Sequence, residues 1–288
     1  MDIAFFLIQA LNAVQYGLLL FLLASGLTLI FGIMGVINLA HGSFYMIGAY
    51  LAFTLTQATG SFWLAIPLGV ALAVLLGLVL ERLLIARLYH RDHLYQVLLT
   101  FGLILIFEEL RSILVGDEVH GIPVPRVLDF SIPLTETLSY PVYRLFISAV
   151  CLALCAGMYW LILRTRVGMM IRAGAHSREM TEALGIRIRV IHMAVFALGV
   201  GLAATAGMIA APVSSIYPGM GGPILIISFV IVVIGGIGSI NGALFGAILI
   251  GFADTFGKVL LPEFAGFLVY LVMAAALLWK PEGLFRKA

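Results

Sequence analysis

Apolar residues along this chain gather in nine runs, near residues 9–31, 41–58, 62–80, 96–115, 143–163, 192–212, 223–238, 242–258 and 264–279. Runs of about 16 to 25 residues match helices crossing a hydrocarbon core of roughly 30 Å, not the weakly alternating strands of a barrel. The pattern predicts an all-α polytopic membrane protein with eight or nine transmembrane helices. Three runs, 41–58, 223–238 and 242–258, are short and rich in glycine, so half-helices or broken helices are expected among them.

Polar residues between the runs set the orientation. Lys and Arg fall into three clusters: Arg82, Arg87 and Arg91; Arg164, Arg166, Arg172, Arg178, Arg187 and Arg189; and Lys280, Arg286 and Lys287. The positive-inside rule places all three in the cytoplasm. Segment 116–142 carries Asp117, Glu118, Asp129 and Glu136 against the single Arg126, along with Pro123, Pro125 and Pro133, and is expected outside. Counting spans between these loops puts the N-terminus outside and the C-terminus inside. A single span over 223–258 would violate that parity, so a break is expected near Gly238.

Composition agrees with the pattern: 63% of the 288 residues are apolar and 10% charged, against about 25% charged in soluble domains. No Lys or Arg precedes Arg82, so the first run is expected to remain as a span. No hydrophilic stretch is long enough for a separate domain, which predicts one transmembrane domain over 1–288. Cys151 and Cys155 sit four apart in an apolar run without further metal ligands and are expected to be buried, reduced thiols.

The basic loop 164–191 is the most informative segment. Within it Ser177-Arg-Glu-Met-Thr-Glu-Ala-Leu-Gly185 predicts a two-turn helix: Ser177 caps the start, Glu179 suits the positive end of the dipole, and Gly185 suits the stop. Met180, Ala183 and Leu184 then share one apolar face. A short helix held between two spans suits docking into a groove on a soluble partner.

Two stretches share the pattern G-x-x-G-x-I-N: Gly32 to Asn38 and Gly235 to Asn241. A duplicated half and convergent composition are both open. Asn38, His41 and Asn241 lie close to the expected breaks, where they either satisfy freed backbone groups or form a polar gate; His41 ordinarily titrates near neutral pH. Gly238, Gly242 and Gly246, like Gly199, Ala203, Gly207 and Ala211, recur every fourth residue, for tight helix packing or for faces that slide or line a path. Glu108, with Glu109 and Arg111, is either an interfacial anchor or part of a vestibule. Asp254 and Lys258 are arranged as a structural i, i+4 pair. No catalytic constellation, metal-binding motif or nucleotide-binding loop occurs, so an enzyme is not expected.

Gly26 through Tyr50, the loop from Arg164-Thr-Arg-Val-Gly168 through Glu182-Ala-Leu-Gly-Ile186, Ile234 through Gly246, and the tail Lys280-Pro-Glu-Gly-Leu-Phe285 together resemble the LivH-type permease subunits of bacterial ABC importers for branched-chain amino acids. The resemblance covers nearly the whole chain and implies the ABC importer permease fold. It implies that Glu182, Ala183 and Gly185 are a reduced form of the motif that docks on the ATPase, with Arg172, Ser177, Met180 and Leu184 around it, and Leu184 where the general pattern has a second Ala. Asn38, His41, Glu108, Gly238 and Asn241 are the candidate gate or pathway residues.

The partners it implies are a second homologous permease subunit, two cytoplasmic ATP-binding subunits that hold ATP and Mg, and a periplasmic substrate-binding protein, in a bacterial inner membrane. No cofactor on this chain and no nucleic acid is implied. Relatives serving urea, short amides or aromatic acids leave the solute open. Rival readings are an ion-coupled secondary transporter using Glu108, Glu109 and Asp254, a passive channel, and a membrane scaffold.

Overall fold

The protein is described by a computed structural model covering residues 3–89, 91–133 and 139–285. Arg286, Lys287 and Glu136 of the charge pattern lie outside these described residues. The described chain is almost entirely helical: α1 (Ile3–Leu29), α2 (His41–Thr59), α3 (Phe62–Leu83), α4 (His93–Val115), α5 (Val142–Arg164), α6 (Arg166–His176), α7 (Arg178–Ala183), α8 (Ile188–Ala210), α9 (Gly221–Gly235), α10 (Ile240–Leu260) and α11 (Ala265–Trp279). A small antiparallel hairpin, β1 (Ser131–Pro133) with β2 (Ser139–Pro141), pairs Ile132 opposite Tyr140 in the segment between α4 and α5.

Nine of these helices correspond to the nine apolar runs. Six segments, formed around α1, α3, α5, α8, α10 and α11, are long and apolar enough to cross a bilayer. The short α9 spans only about 22 Å at 1.5 Å per residue, less than a hydrocarbon core. The first run is longer than its apolar pattern suggested, because α1 continues into a π-wound turn, Ile30–Met34.

Burial ranks the helices. In α1, 89% of the most apolar window is buried, whereas in α11 only 11% is. A helix apolar all round belongs in the middle of a bundle, and α1 packs there against α5, α8, α9 and α10. The outer helices keep large apolar side chains exposed, among them Leu68, Leu75, Phe267 and Leu271, as lipid-facing surfaces require.

Small residues set the spacing at the centre. A Cβ on Gly207 would lie 2.0 Å from the backbone oxygen of Tyr45, and one on Gly26 would lie 2.8 Å from that of Gly199. The Gly199–Ala211 ridge therefore packs α8 against α1 and α2, the tight-packing reading. The ridge proposed for Gly238, Gly242 and Gly246 is corrected: only Gly242 and Gly246 lie within α10, where they pack on α9, while Gly238 precedes the helix with φ +79°.

Candidate functional site

The basic loop folds as two helices, not one. Thr165 caps α6, its hydroxyl accepting from the Gly168 amide at 3.1 Å. Ser177 caps α7 by accepting from the Met180 amide at 3.3 Å, Glu179 lies in the first turn, and Gly185 ends the helix with φ +81°. Thr181 is buried, and its carbonyl accepts from the Ile186 amide. That anchor leaves Met180, Glu182, Ala183, Leu184 and Gly185 exposed at the apex, with Leu184 72% accessible. An apolar tip on a braced helix is free to enter a groove.

Arg172 is placed differently from its apex neighbours. It lies on α6, which the sequence reading missed although Gly168, Ile171 and Gly174 are spaced along its buried face, and its guanidinium donates to the Ile162 carbonyl of α5. It thus ties α6 to the end of α5 while remaining exposed. Arg178, at the start of α7, reaches in the other direction and donates to the Met34 carbonyl at the end of α1. The short helix is in this way tied directly to the first chain break.

At that break Gly35 turns the chain with φ +65°, a left-handed conformation that costs a residue with a Cβ about 1–2 kcal/mol. Residues 35–38 then run without helix back into the bundle. Two amides here are satisfied from α4: Ile37 donates to Gln96 Oε1 and the next residue but one, Leu39, to Thr100 Oγ1, both at 3.2 Å. Those two α4 side chains, not Asn38 or His41, complete the broken backbone. Their signal in the sequence was a polar pair four residues apart in an apolar run.

His41 opens α2 and places Nε2 2.9 Å from the Leu23 carbonyl. Leu23 lies eleven residues before Met34, so α2 begins about 16 Å above the end of the first helix. It is a helix that starts inside the bundle. Asn38, wholly buried, has no hydrogen-bond partner among the described residues on either side-chain amide atom, and His41 Nδ1 has none among them either. Two predicted gate residues are thus brought together at a polar interior point, while Asn241 is exposed on α10.

The second break places Gly238 against the first. A Cβ on Gly32 would lie 2.4 Å from Gly238 Cα, so the two G-x-x-G-x-I-N stretches touch. Ser239 caps α10 by accepting from the Gly242 amide at 3.0 Å. A cavity of about 690 Å³ opens beside the contact, lined by Gly32, Tyr159, Arg172, Gly238, Asn241 and Phe285. The tail closes one wall: the amides of Leu284 and Phe285 donate to the Ile234 and Gly235 carbonyls left open where α9 ends.

Two of the basic clusters also converge. Arg82 and Arg87 line a cavity of about 680 Å³ with Arg178, Arg189 and Glu182. Beside it Tyr89 donates to the buried Glu81, and burial, followed by that carboxylate, pushes the Tyr89 phenol up so that it stays a donor.

Glu108 sits at the far end, 3.4 Å from Arg111 Nε, while Arg111 also bonds the Gly116 carbonyl at 2.6 Å and Asp117 at 2.9 Å. The hydrogen bond from Arg111, then that from Ser112, holds the Asp117 carboxyl below its ordinary range. This network fastens the end of α4 to the following loop, and Glu108 belongs to it, well away from Asn38 and Gly238.

The sequence matches, over residues 9–277, a family described as the permease component of the branched-chain amino acid transport system. It is 29% identical to the high-affinity branched-chain amino acid transport system permease protein BraD of Pseudomonas aeruginosa, over 98% of this chain and 96% of that protein. It is 28% identical to the LivH permease protein of Escherichia coli K12, over 96% and 97%. A probable branched-chain amino acid transport permease protein LivH of Methanocaldococcus jannaschii is 30% identical over 95% of this chain and 90% of its own. No solved structure matches the chain significantly.

Proposed function

The chain belongs to the family of permease components of branched-chain amino acid transport systems, and from that premise we propose that it pairs with a second permease subunit in an ATP-driven importer. It is a transport subunit, not an enzyme, and a multi-pass inner-membrane protein. The solute proposed is a branched-chain or related amino acid. In this reading the basic end of the bundle faces the cytoplasm with the C-terminus, the N-terminus lies outside, and a periplasmic binding protein delivers solute to the opposite end.

The observation that carries the reading is the exposed apex of α7, joined through Arg178 to the Met34 carbonyl at the first break. ATP and Mg reside on two partner ATPase subunits; this chain's part is mechanical. When the ATPases close, α7 moves with them, and Arg178 transmits the displacement to residues 35–38 and the start of α2. The Gly32–Gly238 contact has no side chain to obstruct sliding, so the cavity beside it opens and closes as an inner gate. Asn38 and His41 are polar groups deeper in the bundle, His41 level with Leu23, that solute would pass before this gate; Glu108 serves as an anchor.

The experiment is purification of the tagged chain from its native membrane with its partners, followed by ATPase and uptake assays with loaded binding proteins. ATPases and a second permease in the complex, with ATP-dependent leucine uptake, are expected. A chain that purifies alone and moves solute without ATP overturns the reading; stimulation by a urea-, amide- or aromatic-acid-binding protein instead reassigns the solute.

A further inference from the structure

At the end opposite the basic clusters, α1, α5, α8 and α10 line a third, open cavity of about 390 Å³, within the range of small-molecule sites. Its wall combines apolar side chains with Gln9, Asn12, Gln15, Arg144, Asp254 and Lys258. Gln15, only 7% exposed, lines it and makes no hydrogen bond with the described residues. Its amide borders the cavity, where a donor and an acceptor are available to a ligand.

The charges in the cavity are separable. Asp254 is 8% exposed, and its one ion-pair partner among the described residues is Lys258, at 2.6 Å. That lysine is itself 62% exposed and extends over the Tyr16 ring. A largely buried carboxylate neutralised by a solvated, flexible ammonium can exchange it for a ligand ammonium at small cost. Arg144 donates one guanidinium N–H to Asn12 Oδ1 at 2.8 Å, and Asn12 is steadied by Gln9. An arginine fork has five donors, and those not directed at Asn12 suit a carboxylate. Leu19, Ala210, Val213 and Val259 supply the apolar part of the wall.

We propose that this cavity binds a free α-amino acid with an apolar side chain. Asp254 takes the ammonium in place of Lys258, Arg144 takes the carboxylate, Gln15 bonds the polar end, and the side chain packs on the apolar wall. The proposal rests on the permease reading above and adds the place where solute is held before the inner gate. A neutral amide or urea uses neither charge.

The test uses the purified complex carrying S214C at the rim of the cavity, with Cys151 and Cys155 replaced by alanine, and follows its labelling by a maleimide. Leucine is expected to slow labelling, and 4-methyl-2-oxopentanoate, which lacks the ammonium, is not. D254N and R144Q should each raise the half-protecting leucine concentration at least tenfold, D254E should restore protection, and D254N should narrow the preference for leucine over the keto acid. Q15M, which keeps the chain length without the amide, carries the same expectation of weakened protection if either charge variant fails to assemble. Absence of protection by leucine, or unchanged protection in these variants, overturns the site. Failure of the permease reading is seen separately, as absence of ATP-dependent leucine uptake by the unaltered complex.

Discussion

Arg178, the first residue of α7, donates its guanidinium to the carbonyl of Met34, the last residue of the π-wound end of α1, 144 positions earlier in the chain. The exposed apex and the first break in the membrane bundle are therefore joined by a direct hydrogen bond.

Removing that bond should uncouple the two. A hydrogen bond from a charged group contributes about 1.5–3 kcal/mol, so Arg178→Ala is expected to lower leucine moved per ATP hydrolysed by at least about fivefold in proteoliposomes. Arg178→Lys should recover only part, since an ammonium lacks the planar fork. An unchanged transport-to-hydrolysis ratio in the alanine variant would remove Arg178 from the coupling path.

Gly32→Ala places a methyl group 2.4 Å from Gly238 Cα, backbone against backbone, where no flexible side chain yields. Overpacking of this kind costs about 1–3 kcal/mol, and the melting temperature of the purified complex should fall. Gly222→Ala, with nothing within 4 Å of the added carbon, is the control and should be neutral or slightly stabilising. Equal melting of both variants contradicts the close contact.

Gln96→Leu and Thr100→Val leave the amides of Ile37 and Leu39 without acceptors inside the bundle. Each unsatisfied group costs about 1–3 kcal/mol. Hydrogen exchange at residues 36–40 should rise by one to two orders of magnitude in the double variant while α10 stays protected, as followed by mass spectrometry.

Acid should loosen the loop that follows α4. The Asp117 carboxyl is held below its ordinary range by Arg111 and Ser112, so its contribution is present above the unfolded value of about 3.9 and is lost as pH falls through the lower folded value. Proteolysis of segment 116–142 by an acid-active protease is expected to accelerate below about pH 4. D117N should cleave quickly at every pH and lose that dependence.

Residue type and spacing along the chain determined the class, the nine apolar helices, the break near Gly238, and the Ser177-to-Gly185 helix with its cap and stop. These are properties of contiguous sequence: hydrophobic length and charge are read within one span or one loop, and a capping side chain lies three residues from its donor. The internal echo was visible as well, but not that its two copies touch, because the approach of Gly32 to Gly238 depends on how α1 and α9 cross.

The tertiary structure alone decided the rest. Arg178 was one of six arginines in a basic loop until the fold set it against Met34, and Gln96 and Thr100 were unremarked until residues 35–38 turned back beside α4. Asp254 and Lys258 read correctly as an i, i+4 pair, yet that spacing says nothing of Arg144 and Gln15, brought to the same cavity from α5 and α1. Contacts between residues far apart in sequence are fixed by helix crossing, and the local pattern carries no record of them.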